Sequence, residues 1–287
     1  MVSFEDRKSC RLMSSNDGAT MQYEGSGDLF KIMNSEAVER HQKDSTKLWK
    51  SNESISSCLT HVSEVEVQTE HATIVPSAET KTSNLIIFDY DDTILPTYSL
   101  TVMQRQKLGV KLSDEVLQEL NKLSDAVLEN LQTALNVGTI VIVTNASSEW
   151  LSQSCEKYLP RVGAFLIENK IRIISARDRF GNSLLAQKHW KYFIFIDLIE
   201  EQFIRQLKSG EPFSVISIGD GSEEREACMK LIGIFKNQAW TFKNLKFLNQ
   251  PSYGCLTLQH VLLQKSFQNF LDMDSSADLC IQFDKVG

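Results

Sequence analysis

"NLIIFDYDDTILPT" (84–97) runs from an apolar stretch straight into three aspartates, Asp89, Asp91 and Asp92. The unbroken apolar run of "LIIFD" (85–89) suits a strand covered on both faces, as in a parallel sheet. Like charges crowded at the end of such a strand repel one another. Either the stretch is an acidic surface turn, or a metal cation cancels the repulsion. The rest of the chain decides between them.

Downstream, strands and helices alternate. Val116, Leu120, Leu123, Val127, Leu131 and Ala134 recur at three- and four-residue steps, which predicts an amphipathic helix over 113–138. Ser113 suits its start, and Gly138 suits a left-handed residue at its end. "TIVIVT" (139–144) reads as a second buried strand, followed by a helix over 148–159 that Pro160 stops. "KIRIISA" (170–176) is a third strand, and 188–208 a helix using Trp190, Ile194, Leu198 and Phe203. "FSVISIGD" (213–220) is a fourth, with a helix after it through Ala227, Leu231, Ile232 and Phe235. "LKFLN" (245–249), a helix over 256–271 and a short edge strand near "LCIQF" complete the pattern. This alternation predicts an α/β, three-layer Rossmann-like fold with a mainly parallel central sheet over 83–287. Ligands of such sheets bind outside the carboxyl ends of the strands.

Upstream, residues 1–82 are rich in Ser, Asn, Gln, Glu and Lys and have no sustained apolar period. Such a composition buries too little surface to offset the entropy of ordering, so the segment is expected to be disordered. A short helix around "STKLWKS" (45–51) is the local exception, with Trp49 a candidate docking residue for a protein partner. The formal charge of −7 argues against a general nucleic-acid binder, which needs a basic face. Six scattered cysteines form no C-x-x-C pair, and read as reduced core thiols rather than a zinc site or disulfide framework. No stretch approaches the roughly 18 apolar residues that span a bilayer, and "MVSFEDRKSCRLMSSNDG" has no signal-peptide core. Cytoplasm or nucleus is the expected location, with no membrane contact.

The polar residues of interest all fall at strand ends or helix starts. Asp89, Asp91 and Thr93 close strand one, Thr144 and Asn145 close strand two, and Lys188 or Lys191 opens a helix. Gly219-Asp220 closes strand four, with Glu223 and Glu224 just beyond. Each has an ordinary explanation alone: an acidic turn, a helix cap, a Gly-Asp turn. Together, in this order, they resemble the haloacid dehalogenase superfamily of phosphohydrolases over about 84–250. Its Asp-x-Asp-x-Thr motif matches Asp89, Asp91 and Thr93, and its Thr-ended second strand matches Thr144. Its fourth motif, of Gly-Asp-x-x-x-Asp type, departs here only in having Glu224 as the last acid. The Trp190-Lys191 pair is similar to uncharacterised superfamily members of protists and fungi.

The resemblance implies a Mg2+-dependent phosphatase. Asp89 would attack phosphorus and become an aspartyl-phosphate, while Asp91 serves as general acid and base. Mg2+ would be held by the Asp89 carboxylate, the Asp91 backbone carbonyl and Asp220. Thr144 and the Asn145 amide would hold phosphate oxygens, Thr93 would also face the substrate, and Lys191, with Lys188 the alternative, would offset negative charge. Glu224 would orient metal waters or the lysine; Glu223 is its alternative, and a helix-start acid is the plain reading. Tyr90 and Asp92 fall on variable positions. Asp91 favours a phosphatase over members that transfer other groups. A receiver-domain site has the same ingredients in a different order, with Lys after the last acid, and does not fit.

His41, His61, His71, His189 and His260 lack metal-ligand spacing. The 45 residues between Thr93 and Thr139 hold a flap and a helix, which leaves no room for a large cap domain. A small lid over 97–112 is all that fits. An open site of this kind admits a phosphoprotein, or a small molecule if another chain forms the lid. The competing expectation is a catalytically silent scaffold or protein-interaction module, suggested by the long polar N-terminal segment and by Glu224.

Overall fold

In the computed structural model, residues 10–14, 20–22, 83–181 and 189–283 are described. Eight strands form one sheet: β1 (Cys10–Ser14), β2 (Thr20–Gln22), β3 (Ser83–Phe88), β4 (Thr139–Thr144), β5 (Arg172–Ser175), β6 (Phe213–Gly219), β7 (Trp240–Lys246) and β8 (Ala277–Phe283). Their order is β2-β1-β8-β7-β6-β3-β4-β5. The six strands from β3 onward are all parallel, and β1 and β2 add an antiparallel border against β8. From β3 the chain steps outward through β4 and β5, then returns to the other side of β3 with β6. That reversal opens a crevice at the carboxyl ends of β3 and its neighbours.

Alternation along β3 explains why its sequence is apolar throughout. Ile86 and Phe88 pack on one face with α1 (Asp114–Val137), α2 (Ser148–Tyr158), α3 (Pro160–Glu168) and α8 (Tyr253–Leu271). Leu85 and Ile87 pack on the other with α4 (Ala176–Phe180), α5 (Trp190–Gln202) and α7 (Ser222–Ile234). A short α6 (Ile204–Ser209) leads into β6. The result is the three-layer α/β arrangement expected from the pattern. Between Thr93 and α1 only a π-type turn, Ser99–Met103, interrupts the loop, so no large cap domain occurs among the described residues.

Several boundaries differ from the sequence reading, each for a physical reason. Gly138 follows α1 in an extended conformation (φ −173°, ψ −171°), not a left-handed one. It is glycine because a Cβ there would lie 2.5 Å from the Asn84 carbonyl oxygen. Pro160 does not simply stop α2 but occupies the first turn of α3, where its missing N–H costs nothing. The helix expected over 188–208 starts at Trp190 and breaks at Phe203, whose buried ring stacks on Phe213 at 4.3 Å. β7 begins at Trp240, five residues before the expected strand, because Lys243 and Asn244 interrupt its apolar run. Both are buried: Lys243 Nζ donates to the Leu271 carbonyl at 2.6 Å, and Asn244 Nδ2 to Asp278 Oδ1 at 3.0 Å.

β8 is not an edge strand, since β7 and β1 flank it. The composition of 1–82 gave no reason to expect β1 or β2; pairing with β8 satisfies an otherwise open row of backbone groups. The rest of 1–82, including the "STKLWKS" helix and Trp49, lies outside the described residues, as does Lys188.

Candidate active site

Asp89 ends β3 at the crevice, its backbone N–H bonded to the Ile218 carbonyl of β6 at 2.9 Å. The chain then folds back sharply: the N–H groups of Ile94 and Leu95 both reach the Tyr90 carbonyl, at 2.8 and 2.9 Å. Tyr90 points into the core and is fully buried, its hydroxyl 2.9 Å from Ser154 Oγ. This turn presents Asp89, Asp91 and Asp92 together. Asp92 holds a left-handed backbone (φ 54°), and its Oδ1 accepts the Tyr98 N–H at 2.8 Å. It therefore shapes the turn, where the sequence suggested only an incidental acid.

Lys191, in the first turn of α5, is 2% exposed and stands between two carboxylates. Its Nζ lies 2.8 Å from Asp89 Oδ1 and pairs with Glu224 Oε1. Glu224 is itself buried on α7, packed so close to the β6–α7 loop that a Cβ on Gly219 would come within 2.8 Å of its Cγ. Of its two expected roles, the lysine-orienting one is the one this geometry displays, through Oε1, while Oε2 is buried with no hydrogen-bond partner. Glu223, half-buried, stands one residue earlier in the same first turn.

Thr93 is fully buried and fastens three segments, so it does not face a ligand as expected. Its Oγ1 accepts the Asp220 N–H at 3.1 Å, and its carbonyl accepts His260 Nε2–H at 2.7 Å. Because a carbonyl only accepts, Nε2 carries the proton and Nδ1 faces Asn130 Nδ2 at 3.2 Å as the acceptor. Burial pushes the His260 imidazole down to about 4, partly opposed by its bond to Thr93. Native His260 is thus neutral, and stability is fully present above pH 6.5 and lost as pH falls towards 4. That loss should reach about 3 kcal/mol from this group. Urea unfolding of wild type and His260→Gln at pH 7.5, 5.5 and 4.5 tests it. The variant should show a flatter pH dependence, and parallel curves would sink the assignment.

Thr144 is also fully buried, its Oγ1 accepting the Ala146 N–H at 3.0 Å. Asn145 follows at the mouth, with a buried Oδ1 that has no hydrogen-bond partner. The loop is secured by Ser175 Oγ, which donates to the Ala146 carbonyl at 2.6 Å. Asp220 ends β6 beside Asp89, and its carbonyl accepts Lys246 Nζ at 2.8 Å.

Five carboxylates (Asp89, Asp91, Asp92, Asp220 and Glu224) therefore meet two ammonium groups, Lys191 and Lys246. Burial, then repulsion from Asp89 and Asp92, lifts the Asp220 carboxyl to about 7. Asp92 rises to about 6, first through burial. Burial also raises Asp89, against the pull of Lys191. Lys191 is the ammonium that faces Asp89 Oδ1, at 2.8 Å. Five buried or half-buried carboxylates against two ammonium groups make an excess of negative charge that fits a hard cation. Among the described residues no three His, Cys, Asp or Glu side chains group as a metal site. A cation here would rest on Asp89 and Asp220 with backbone and water oxygens, the ligand set Mg2+ accepts.

Three residues that the sequence reading passed over join the site. Thr97 and Trp150 both donate to Asp91 Oδ1, and His260 holds the Asp-rich turn from α8. No local pattern marks them, because Trp150 and His260 reach it across 59 and 167 residues of sequence. No protein-family model matches this chain, and neither does any curated protein or solved structure.

Among the described residues no helix is long and apolar enough to cross a membrane.

Proposed function

We propose that the chain is a Mg2+-dependent phosphatase of the haloacid dehalogenase type, working through an aspartyl-phosphate. The observation that carries this reading is the meeting of Asp89, Asp91, Lys191 and Asp220, from distant segments, at the crevice where β3 lies beside β6. A carboxylate oxygen of Asp89 attacks phosphorus, and the bond to the ester oxygen breaks as that oxygen takes a proton from Asp91. Water then attacks phosphorus, gives its proton to the Asp91 carboxylate, and releases inorganic phosphate with Asp89 restored. Lys191 offsets charge on Asp89 and the phosphoryl oxygens, and Glu224 holds Lys191 in place. Asn145, half-buried at the mouth, offers its amide to the phosphoryl oxygens, and Thr144, fully buried behind it, shapes that loop by accepting the Ala146 N–H. Asp89, Asp220 and the Asp91 carbonyl would hold Mg2+, which when bound neutralises phosphoryl charge.

With no large cap among the described residues, we infer an open site that takes a phosphorylated small molecule or a phosphoprotein, in cytoplasm or nucleus. A protein partner for residues 1–82 is part of the same proposal. The test is hydrolysis of p-nitrophenyl phosphate by the full chain. Phosphate release should rise with added Mg2+ and fall at least about 100-fold after chelation with EDTA. Release indifferent to chelation would overturn the metal-dependent mechanism. No release from a broad substrate panel, with no Mg2+ binding by titration, would favour the silent scaffold instead.

A further inference from the structure

Asp91 Oδ1 accepts two hydrogen bonds, from Thr97 Oγ1 at 2.6 Å and from Trp150 Nε1 at 3.0 Å. A carboxylate oxygen offers two lone pairs in its plane, and these donors occupy both. A proton carried by this carboxyl is therefore left to Oδ2. The two oxygens of Asp91 are not equivalent.

The donors come from opposite sides of the site. Thr97 belongs to the turn that carries Asp91 itself. Trp150 belongs to α2, directly after the Thr144–Asn145 loop. Its backbone N–H is held by the capping Ser147 Oγ at 3.2 Å, and the Ser148 N–H before it by Asp178 Oδ2 at 2.8 Å. Ser175 fixes the same loop from β5. The indole thus rides on a segment tied to β5 and α4, and its N–H is delivered to Asp91 by the fold rather than by a free rotamer. Its ring packs only partly buried against the α1–α2 side of the core, so the N–H could have faced water at little cost. It meets a carboxylate instead.

We propose that Trp150, with Thr97, is a positioning residue that fixes Asp91 so that Oδ2 alone exchanges the proton with the leaving oxygen. This rests on the phosphatase reading above. As the bond between phosphorus and the ester oxygen breaks, the electron pair stays on that oxygen and the Oδ2 proton moves to it. Asp91 becomes a carboxylate, and both donors then bind a full negative charge, where hydrogen bonds are stronger. Their help is greatest when the leaving group needs the proton most.

Leaving-group dependence is the readout that a merely structural role would not move. Trp150→Phe keeps an aromatic ring and removes the N–H. On an alkyl phosphate, kcat/KM should fall about 10- to 100-fold. On p-nitrophenyl phosphate, whose phenolate leaves without protonation, the fall should stay below about 3-fold. Thr97→Val should show the same split. Equal losses on both substrates, or none on either, would overturn the proposal. A second measurement needs no turnover. In the 15N-labelled full chain, the indole N–H resonance that Trp150→Phe deletes should shift in Asp91→Asn, while the other three indole signals stay. An unmoved resonance would refute the Trp150–Asp91 bond itself. If wild type hydrolyses neither ester, the phosphatase reading fails and the catalytic role falls with it, while the resonance still decides the bond.

Discussion

Asp89→Asn should abolish phosphate release, lowering kcat by at least about a thousandfold. An amide is isosteric with the carboxylate but is a poor nucleophile and leaves no path to the aspartyl-phosphate. The substitution is gentle on the fold. Asp89 is 7% exposed and its charge is opposed by burial, so neutralising it relieves a desolvation cost while Lys191 keeps its pairing with Glu224. Loss of activity with an unchanged melting temperature is the expected pair of results, read with p-nitrophenyl phosphate in excess Mg2+. Activity within tenfold of wild type would remove Asp89 from the chemistry.

Lys191→Met carries the largest expected effect on stability, a loss of about 3–5 kcal/mol. The ammonium is 2% exposed and lies between Asp89 and Glu224, both buried. Methionine fills much the same volume but leaves two buried carboxylates facing each other with no cation between them. Both must then take up protons or water, and either response disturbs the β6–α7 loop against which Glu224 packs. Adding Glu224→Leu to Lys191→Met should recover part of the lost stability, because one of the two buried anions goes with its partner while Asp89 stays unpaired, yet restore no activity. Urea denaturation of the single and double variants measures this. A single-variant loss below about 1 kcal/mol would mean that the crevice is wetter than its packing indicates.

The sheet was legible where burial on both faces writes an unbroken apolar run, as in β3, β4 and β6. β7 was half hidden because Lys243 and Asn244 are buried by hydrogen bonds that only the folded chain supplies. The break at Phe203 has the same origin, since an aromatic ring that must stack on Phe213 outweighs the continuation of a helical pattern. In the site, Asp89, Asp91 and Asp220 announce themselves as acids at strand ends, and Lys191 as a cation opening a helix. Thr93 was legible as a site residue but not as a clasp, for its partners Asp220 and His260 are assembled by the sheet. Trp150 was unreadable: nothing in "NASSEWLSQ" says that its indole will meet an aspartate in the turn after β3.

Thr93 also alters how genetic damage in this chain should be read. Through its carbonyl it hangs on His260, and through His260 on Asn130, which lies in the middle of α1 and donates to the backbone of α8 at 2.8 Å. A loss-of-function screen would register Asn130 as an active-site position, although it lies on a helix remote in sequence from every acid of the crevice. The boundary of the functional unit is therefore drawn by this clasp, not by proximity to a substrate. It runs through two helices whose surfaces give no sign of it.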